Sequence, residues 1–176
     1  TQPNGIILTD LSDDGTDPDP TANNDPSDAE EDDPTPFTAG KGEIGLAVKA
    51  SVAGTTVTLD FYAENFGNGV AENIFLEIPL NPVFGSGNYS ITSQPTRISG
   101  VETVLLSPQF FGFNIFSRVV VGGFLAPGDK VHFRAQVNVS TISDQGNGFG
   151  VYTLNPTITA SSSDGGALSD VSIDGT

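Results

Sequence analysis

Four stretches of this chain alternate apolar and polar side chains with a period of two. Val57, Leu59, Phe61 and Ala63 share one parity in TTVTLDFYAEN, as do Val131, Phe133, Ala135, Val137 and Val139 in KVHFRAQVNV. Ile44, Leu46 and Val48 alternate in GEIGLAVKAS, and Ile74, Leu76 and Ile78 in AENIFLEIPL. Successive side chains of a strand point to opposite faces, so each stretch predicts a half-buried strand and speaks against helix. Turn residues fall between them: Gly54, the run Asn65-Phe66-Gly67-Asn68-Gly69, the Leu125–Asp129 sequence LAPGD, and Asp164-Gly165-Gly166. These types tolerate or require the backbone geometries of tight turns.

The remaining stretches are read with the same rules. GSGNYSITSQ and RISGVETVLL predict two strands joined by a turn within residues 83–108. Phe110 to Val121 is apolar on both parities, which predicts a strand covered on both sides or a contact surface. Residues 149–160 predict a strand interrupted at Pro156, and the chain closes on LSDVSIDGT. About eight short strands over roughly 140 residues predict an all-β fold, an immunoglobulin-like Greek-key β-sandwich. The cluster Phe110, Phe111, Phe113, Phe116 and Phe124 is expected to fill its core, with an intersubunit contact or a carbohydrate or partner surface as the alternatives.

Ahead of the sandwich lies a segment of another kind. Between Asp10 and Asp33 there are 11 Asp and Glu and no Lys or Arg. Residues 37–176 carry 11 acids and 6 bases, so −11 of the total −16 belongs to the N-terminal segment. Five prolines and no large apolar residue between 12 and 36 leave no place for a helix or central strand. The segment is either a disordered acidic linker or a folded calcium cage. Ca²⁺ takes six to eight oxygens from carboxylates, amides, backbone carbonyls and water, at about 2.3–2.6 Å. Asp13, Asp14, Asp17, Asp19, Asn23, Asn24, Asp25, Asp28, Asp32 and Asp33 offer such oxygens at close spacing. Gly15 can bend the backbone, and Pro18, Pro20 and Pro26 hold it extended. Without cations these carboxylates repel one another. The EF-hand spacing is absent, so the site would be of a different kind.

An internal echo favours the cage. LTDLSDDGT, residues 8–16, returns as LSDVSIDGT, residues 168–176, with six of nine positions identical at an offset of 160. Asn4-Gly5 stands against Asp164-Gly165. The chain thus reads as one period of a longer array: residues 1–9 an edge or donor strand belonging to a preceding repeat, 10–36 an acidic linker, and 37–176 a sandwich ending in the start of the next linker motif.

Charge and composition remove several functions. A net charge of −16 argues against nucleic acid, which needs Lys and Arg to displace counterions, and against anionic lipid. No run approaches the roughly 18 apolar residues of a membrane helix. No basic-then-apolar leader is present, so an exported protein would be represented here by a mature or internal piece. The absence of Cys removes disulfides and thiolate metal sites. His132 is the single histidine, and its parity places it on the solvent side beside Arg134. With no Cys and that histidine solvated, nucleophilic triads and zinc hydrolase sites lack parts, and no enzyme is expected. Asn88-Tyr89-Ser90 and Asn138-Val139-Ser140 match glycosylation sequons, which are expected to be chance occurrences.

Ala63 to Pro79 (AENFGNGVAENIFLEIP), the LAPGD turn and the closing Asp-Val-Ser-Ile-Asp-Gly-Thr resemble the bacterial conserved-repeat domains called domain of unknown function 11. Asp33-Pro34-Thr35-Pro36-Phe37 resembles the end of that family's acidic linker. The resemblance covers nearly the whole chain, circularly shifted so that the linker comes first. Residues 83–124 depart from the pattern. The resemblance implies an immunoglobulin-like sandwich in tandem arrays on very large secreted or surface proteins.

These readings predict a structural repeat or subunit of an extracellular bacterial filament or giant surface adhesin. Ca²⁺ would stiffen its linker, and its partners would be neighbouring copies of itself joined head to tail. Fully extended, the linker would reach roughly 90 Å and leave the sandwiches independent. The alternative is an adhesin domain that binds a cell-surface glycan or host protein through loops and exposed Phe residues.

Overall fold

In a computed structural model the chain divides into two units, Thr1–Ala39 and Gly40–Thr176. The structure describes residues 40–172. The expected strand at residues 1–9 and the acidic linker lie outside them.

The described residues form an all-β sandwich of two antiparallel sheets. One sheet has the order β1-β2-β7-β4, from Ile44–Ala53, Thr56–Asn65, Lys130–Val139 and Tyr89–Gly100. The other has the order β5-β6-β3-β8-β9, from Val104–Leu106, Arg118–Leu125, Ala71–Glu77, Thr157–Ser162 and Ala167–Val171. In the seven-strand immunoglobulin arrangement, strands A, B, E and D form one sheet and C, F and G the other. Here β1-β2-β7-β4 and β3-β8-β9 have that order. The β5–β6 pair is an addition between β4 and β7 that widens the second sheet beyond β3.

The alternating residues supply the core. Val57, Leu59, Phe61 and Ala63 of β2 and Val131, Phe133, Ala135, Val137 and Val139 of β7 are all buried. The register sets Phe61 opposite Phe133, and their rings stack at 5.3 Å. Truncating either ring to Ala in such a site costs about 3–5 kcal/mol. In β3 the parity shifts once. Asn73 sits at φ 53 in a bulge between Glu72 and Phe75, so Ala71 and Ile74 both face inward although they stand three positions apart.

Residues 81–125 correct the expected boundaries. A single strand, β4, runs from Tyr89 to Gly100 and takes in RISG, the start of the second expected strand, and α1 (Asn81–Phe84) precedes it. Phe110 to Val121 is not one strand: a loop and a 3₁₀ turn at Asn114–Ser117 come before β6 begins at Arg118. Gly112, at φ +76, lies so close to Leu80 that a Cβ would fall 2.6 Å from its side chain. Its carbonyl accepts the Leu80 N–H at 2.7 Å, which pins the loop to the core. The strand expected at 149–160 begins only at Thr157, after Pro156.

The two turns that carry the family resemblance meet at one buried amide. Asn65 Nδ2 donates to the carbonyls of Gly69 (2.8 Å) and Leu125 (2.9 Å). Its Oδ1 accepts the N–H groups of Glu43 and Gly67, both at 3.0 Å. The start of β1, the Asn-x-Gly-Asn turn and the LAPGD turn are thereby tied together. Asp129 closes the latter, its Oδ2 accepting the Ala126 N–H at 2.9 Å.

Candidate functional site

The closing motif has a defined structural task. β1 is an edge strand of its sheet and β9 an edge strand of the other, and an unpaired edge invites association with another chain. Here β9 turns acceptors toward β1. Asp170 Oδ2 accepts the Leu46 N–H at 2.7 Å, and Ser172 Oγ accepts the Val48 N–H at 3.0 Å. Ser162 Oγ, at the end of β8, accepts the Gly42 N–H at 2.8 Å. Leu168 shares the parity of Asp170 and Ser172 and packs against the core. The seam between the sheets is thus sealed by side chains from the segment whose sequence recurs at residues 8–12.

The turn leading into β9 is held by its own acid. Gly165 lies at φ +85, and Asp164 Oδ1 accepts the Gly166 N–H at 3.0 Å. That bond, with a second from Ser162, holds the Asp164 carboxyl below its ordinary range.

The residues expected to bind calcium, Asp13, Asp14, Asp17, Asp19, Asn23, Asp25, Asp28 and Asp32, lie outside the described residues. Among the described residues no three His, Cys, Asp or Glu side chains gather as a metal site would require.

A second cluster occupies the outer face of the first sheet. His132 does not stand free in solvent, as its parity had suggested. Its side chain is only 17% exposed, and Nε2 lies 2.7 Å from Asp60 Oδ1. Asp60 is buried although it points to the outer face, because neighbouring side chains cover it. Arg134 Nε donates to Oδ1 at 2.9 Å and Nη2 to Oδ2 at 3.2 Å. Burial pushes the Asp60 carboxyl up. The bonds from Arg134 and His132 outweigh it and hold the group below its ordinary 3.8. The carboxylate is therefore ionised at neutral pH, so His132 Nε2 carries the proton of their bond. Asp60 raises the Arg134 guanidinium in turn. Both carboxylate oxygens are bonded, which suits a structural cross-link between β2 and β7.

Beside this cluster runs an open groove of about 460 Å³, lined by Gly45, Ala47, Tyr62, Phe66, Ser99 and His132 among others. Tyr62 stacks on His132 with ring centroids 4.3 Å apart. Phe66 lies over Gly45, where a Cβ would come within 2.6 Å of its ring. The groove offers aromatic faces and a polar end, a combination able to stack on a flat apolar ligand face.

The phenylalanine cluster divides, against the expectation that it fills the core. Phe110 is fully buried. Phe111, Phe113 and Phe124 are exposed and Phe116 is half-buried. Phe111, Phe113 and Phe116 pack on one another with centroids 5.4–6.3 Å apart, beside exposed Ile115. Gln94 of β4 holds the loop. Its Oε1 accepts the Phe110 N–H at 2.7 Å, and Nε2 donates to the Phe110 carbonyl at 3.1 Å. Neither Gln94 nor Asp60 stood out in the sequence, because each acts on a partner far away in the chain. In the first sequon Asn88 Nδ2, the atom a glycan would need, donates to the Phe84 carbonyl at 3.0 Å. In the second, Asn138 Oδ1 accepts from Thr55 at 2.7 Å.

No family model and no curated protein sequence matches this chain. Among solved structures it is similar to the GH20 exo-β-N-acetylglucosaminidase of Vibrio harveyi in complex with N-acetylglucosamine. The identity is 12% and the TM-score 0.38, over 76% of this chain and 18% of that one. It is also similar to the yeast delta-COP-I mu-homology domain complexed with a Dsl1 WxWxV peptide. There the identity is 13% and the TM-score 0.32, over 66% of this chain and 38% of that one. The chain therefore spans well under half the length of either. Likenesses this slight carry no argument about its fold or activity. Among the described residues no helix is long and apolar enough to cross a membrane.

Proposed function

We propose that this chain is a structural repeat or subunit of an extracellular bacterial filament or giant surface adhesin, joined head to tail to further copies and stiffened at its acidic joint by Ca²⁺. One observation carries this reading. The closing motif spends its Asp170 carboxylate and Ser172 hydroxyl on sealing β1, and that motif recurs, 160 residues earlier, at the head of the acidic run. A motif with a structural duty at the end of a sandwich therefore also opens the linker. The resemblance of the two Asn65-bonded turns and the linker to the conserved-repeat domains supports the same reading. Extracellular modules of this sort need bind calcium only at about 10⁻⁴–10⁻³ M, since the medium supplies it.

The test is calcium dependence. Chelation with EDTA is expected to lower the thermal midpoint of the full chain, and added calcium to restore it. A melting curve indifferent to both, with no heat of calcium binding in calorimetry, would sink the proposal.

The groove at Tyr62, Phe66 and His132 favours a second reading, an adhesin domain that recognises a cell-surface glycan or protein. Binding to a glycan array that disappears in Tyr62→Ala would support it.

A further inference from the structure

The two ends of the sandwich carry different surfaces. The strand registers place the β1–β2 hairpin (residues 52–55) and the loops at 78–88, 107–117 and 140–156 at one end. Bonds tie these segments together. The Val139 N–H donates to the Thr55 carbonyl and the Ser140 N–H to the Asn88 carbonyl, both at 2.8 Å. Tyr89 Oη donates to the Phe111 carbonyl at 3.1 Å. The start of β1 and the turns at 65–70, 100–103, 125–130 and 163–166 lie at the other end.

The loop end is apolar and almost without charge. Asp144 is the only charged residue in its four segments. Yet Val52 in the hairpin, Phe111, Phe113 and Ile115 in one loop, and Ile142, Phe149 and Val151 in another are 39–79% exposed. Between those two loops the rings of Tyr152, Phe84 and Tyr89 form a row, with successive centroids 5.0 and 5.7 Å apart. At about 150–200 Å² per side chain, the seven exposed residues present roughly 600–800 Å² of apolar surface. The largest apolar patch of a typical monomer is about 300–600 Å², whereas one side of a standard protein interface is about 800 Å². The loop end is thus close in size to one half of an interface.

Charge decides what can cover it. The opposite end exposes Lys41, Glu43, Glu102, Lys130 and Asp164. Pressing those groups onto an uncharged apolar surface would strip them of water and leave them unpaired. A bilayer fits poorly as well, because the four loop-end segments hold no Trp, Lys or Arg to anchor among headgroups. A second loop end fits. Each chain carries −16, so copies repel wherever acids face one another, and the segments with a single acid are where they can meet.

We propose that the loop end binds a second copy of this chain, tail to tail about a twofold axis, through the 107–117 and 140–156 loops. In a twofold contact the same patch serves both partners, so an apolar surface needs no other counterpart. The contact closes at two chains. It therefore goes beyond the head-to-tail joint and does not depend on it.

The test uses the full chain with EDTA present. In sedimentation velocity the mass is expected to rise with concentration from one chain to two and no further. Added sodium chloride should tighten the dimer, since it screens repulsion between like-charged chains and leaves apolar contact in place. Ile115→Asp with Phe149→Asp should weaken association at least tenfold. These are the two most exposed of the seven residues, at 79% and 76%, so the melting curve of the monomer should not move. The chain has no native cysteine, so single introduced thiols report the geometry. A flexible bis-maleimide should join two copies of Asn147→Cys, at the loop end. It should join neither two copies of Glu102→Cys, at the other end, nor one of each. A chain that stays single at every concentration would overturn the proposal. So would a dimer indifferent to the double substitution, or cross-linking of Asn147→Cys to Glu102→Cys as efficient as to itself. A single chain that instead binds phosphatidylcholine vesicles through Ile115 and Phe149 would assign the end to lipid and overturn it too. Calcium titration of the unaltered chain is separate from all of these outcomes.

Discussion

The two seams of this sandwich are closed by different means. At one, between β1 and β9, short acceptors on a strand reach the main-chain N–H groups of the neighbouring edge: Asp170 to Leu46, Ser172 to Val48. At the other, between β4 and the β5–β6 pair, long side chains span the gap. Arg97 Nη2 donates to the Val104 carbonyl, and Gln94 makes its two-way bond to Phe110. The first seam needs only a strand with the right residues on one parity. The second needs a loop whose shape depends on Gly112 against Leu80 and on the packing of Phe110. The residues of the first pattern, Leu-x-Asp-x-Ser, occur twice in the sequence, at 168–172 and at 8–12. A seam of the second kind belongs to this loop alone.

Substitutions can break or sharpen this contrast. The largest effect is expected at Asn65, which anchors the start of the sealed seam through four bonds. Asn65→Ala leaves the Gly69 and Leu125 carbonyls and the Glu43 and Gly67 N–H groups without their partner, a loss of about 3–4 kcal/mol in urea unfolding. A loss below about 1 kcal/mol would show that water replaces the amide and that the turns are not held by it. The seams themselves come next. Asp170→Ala with Ser172→Ala is expected to cost about 2–3 kcal/mol, and Gln94→Ala about 1–2 kcal/mol, because a charge-assisted bond is lost only in the first. The reverse order would break the comparison.

The smallest effect belongs to the face that neither seam uses. Asp60 is held below its ordinary pKa of 3.8 in the folded protein. Its contribution is thus complete above that value and is lost as the pH falls through the folded-state pKa below it. Asp60→Asn should lower the thermal midpoint at neutral pH, and the gap to the unaltered protein should close below pH 3.8. A gap that stays constant down to the most acidic pH would mean that the carboxylate's charge is not what joins β2 to β7.

Strands β1, β2 and β7 were legible because each buries one parity and exposes the other. The region between Asn81 and Leu125 was not. Phe110 to Val121 is apolar on both parities, and only tertiary bonds from Gln94 and Leu80 decide that Phe110 goes in while Phe111 and Phe113 stay out. His132 was placed on the correct face, yet its burial depends on Asp60 in another strand, 72 residues away. The sealing residues were hidden for a different reason. Polar Asp170 and Ser172 look solvent-facing in an alternating strand, whereas here the polar parity points inward to meet an edge. The echo held the missing signal, since within 167–172 its identities, Leu168, Asp170 and Ser172, fall on that parity.

Amide hydrogen exchange at Leu46 and Val48 tests the central claim most directly. Both N–H groups lie on a sheet edge and would exchange freely if β9 merely lay nearby. In the full chain they are expected to be protected like the interior ladder amides of β2. In Asp170→Ala with Ser172→Ala they should exchange at least tenfold faster while those of β2 hold. Fast exchange at both positions in the unaltered protein, or protection that survives the double substitution, would contradict the account that this motif exists to seal an edge.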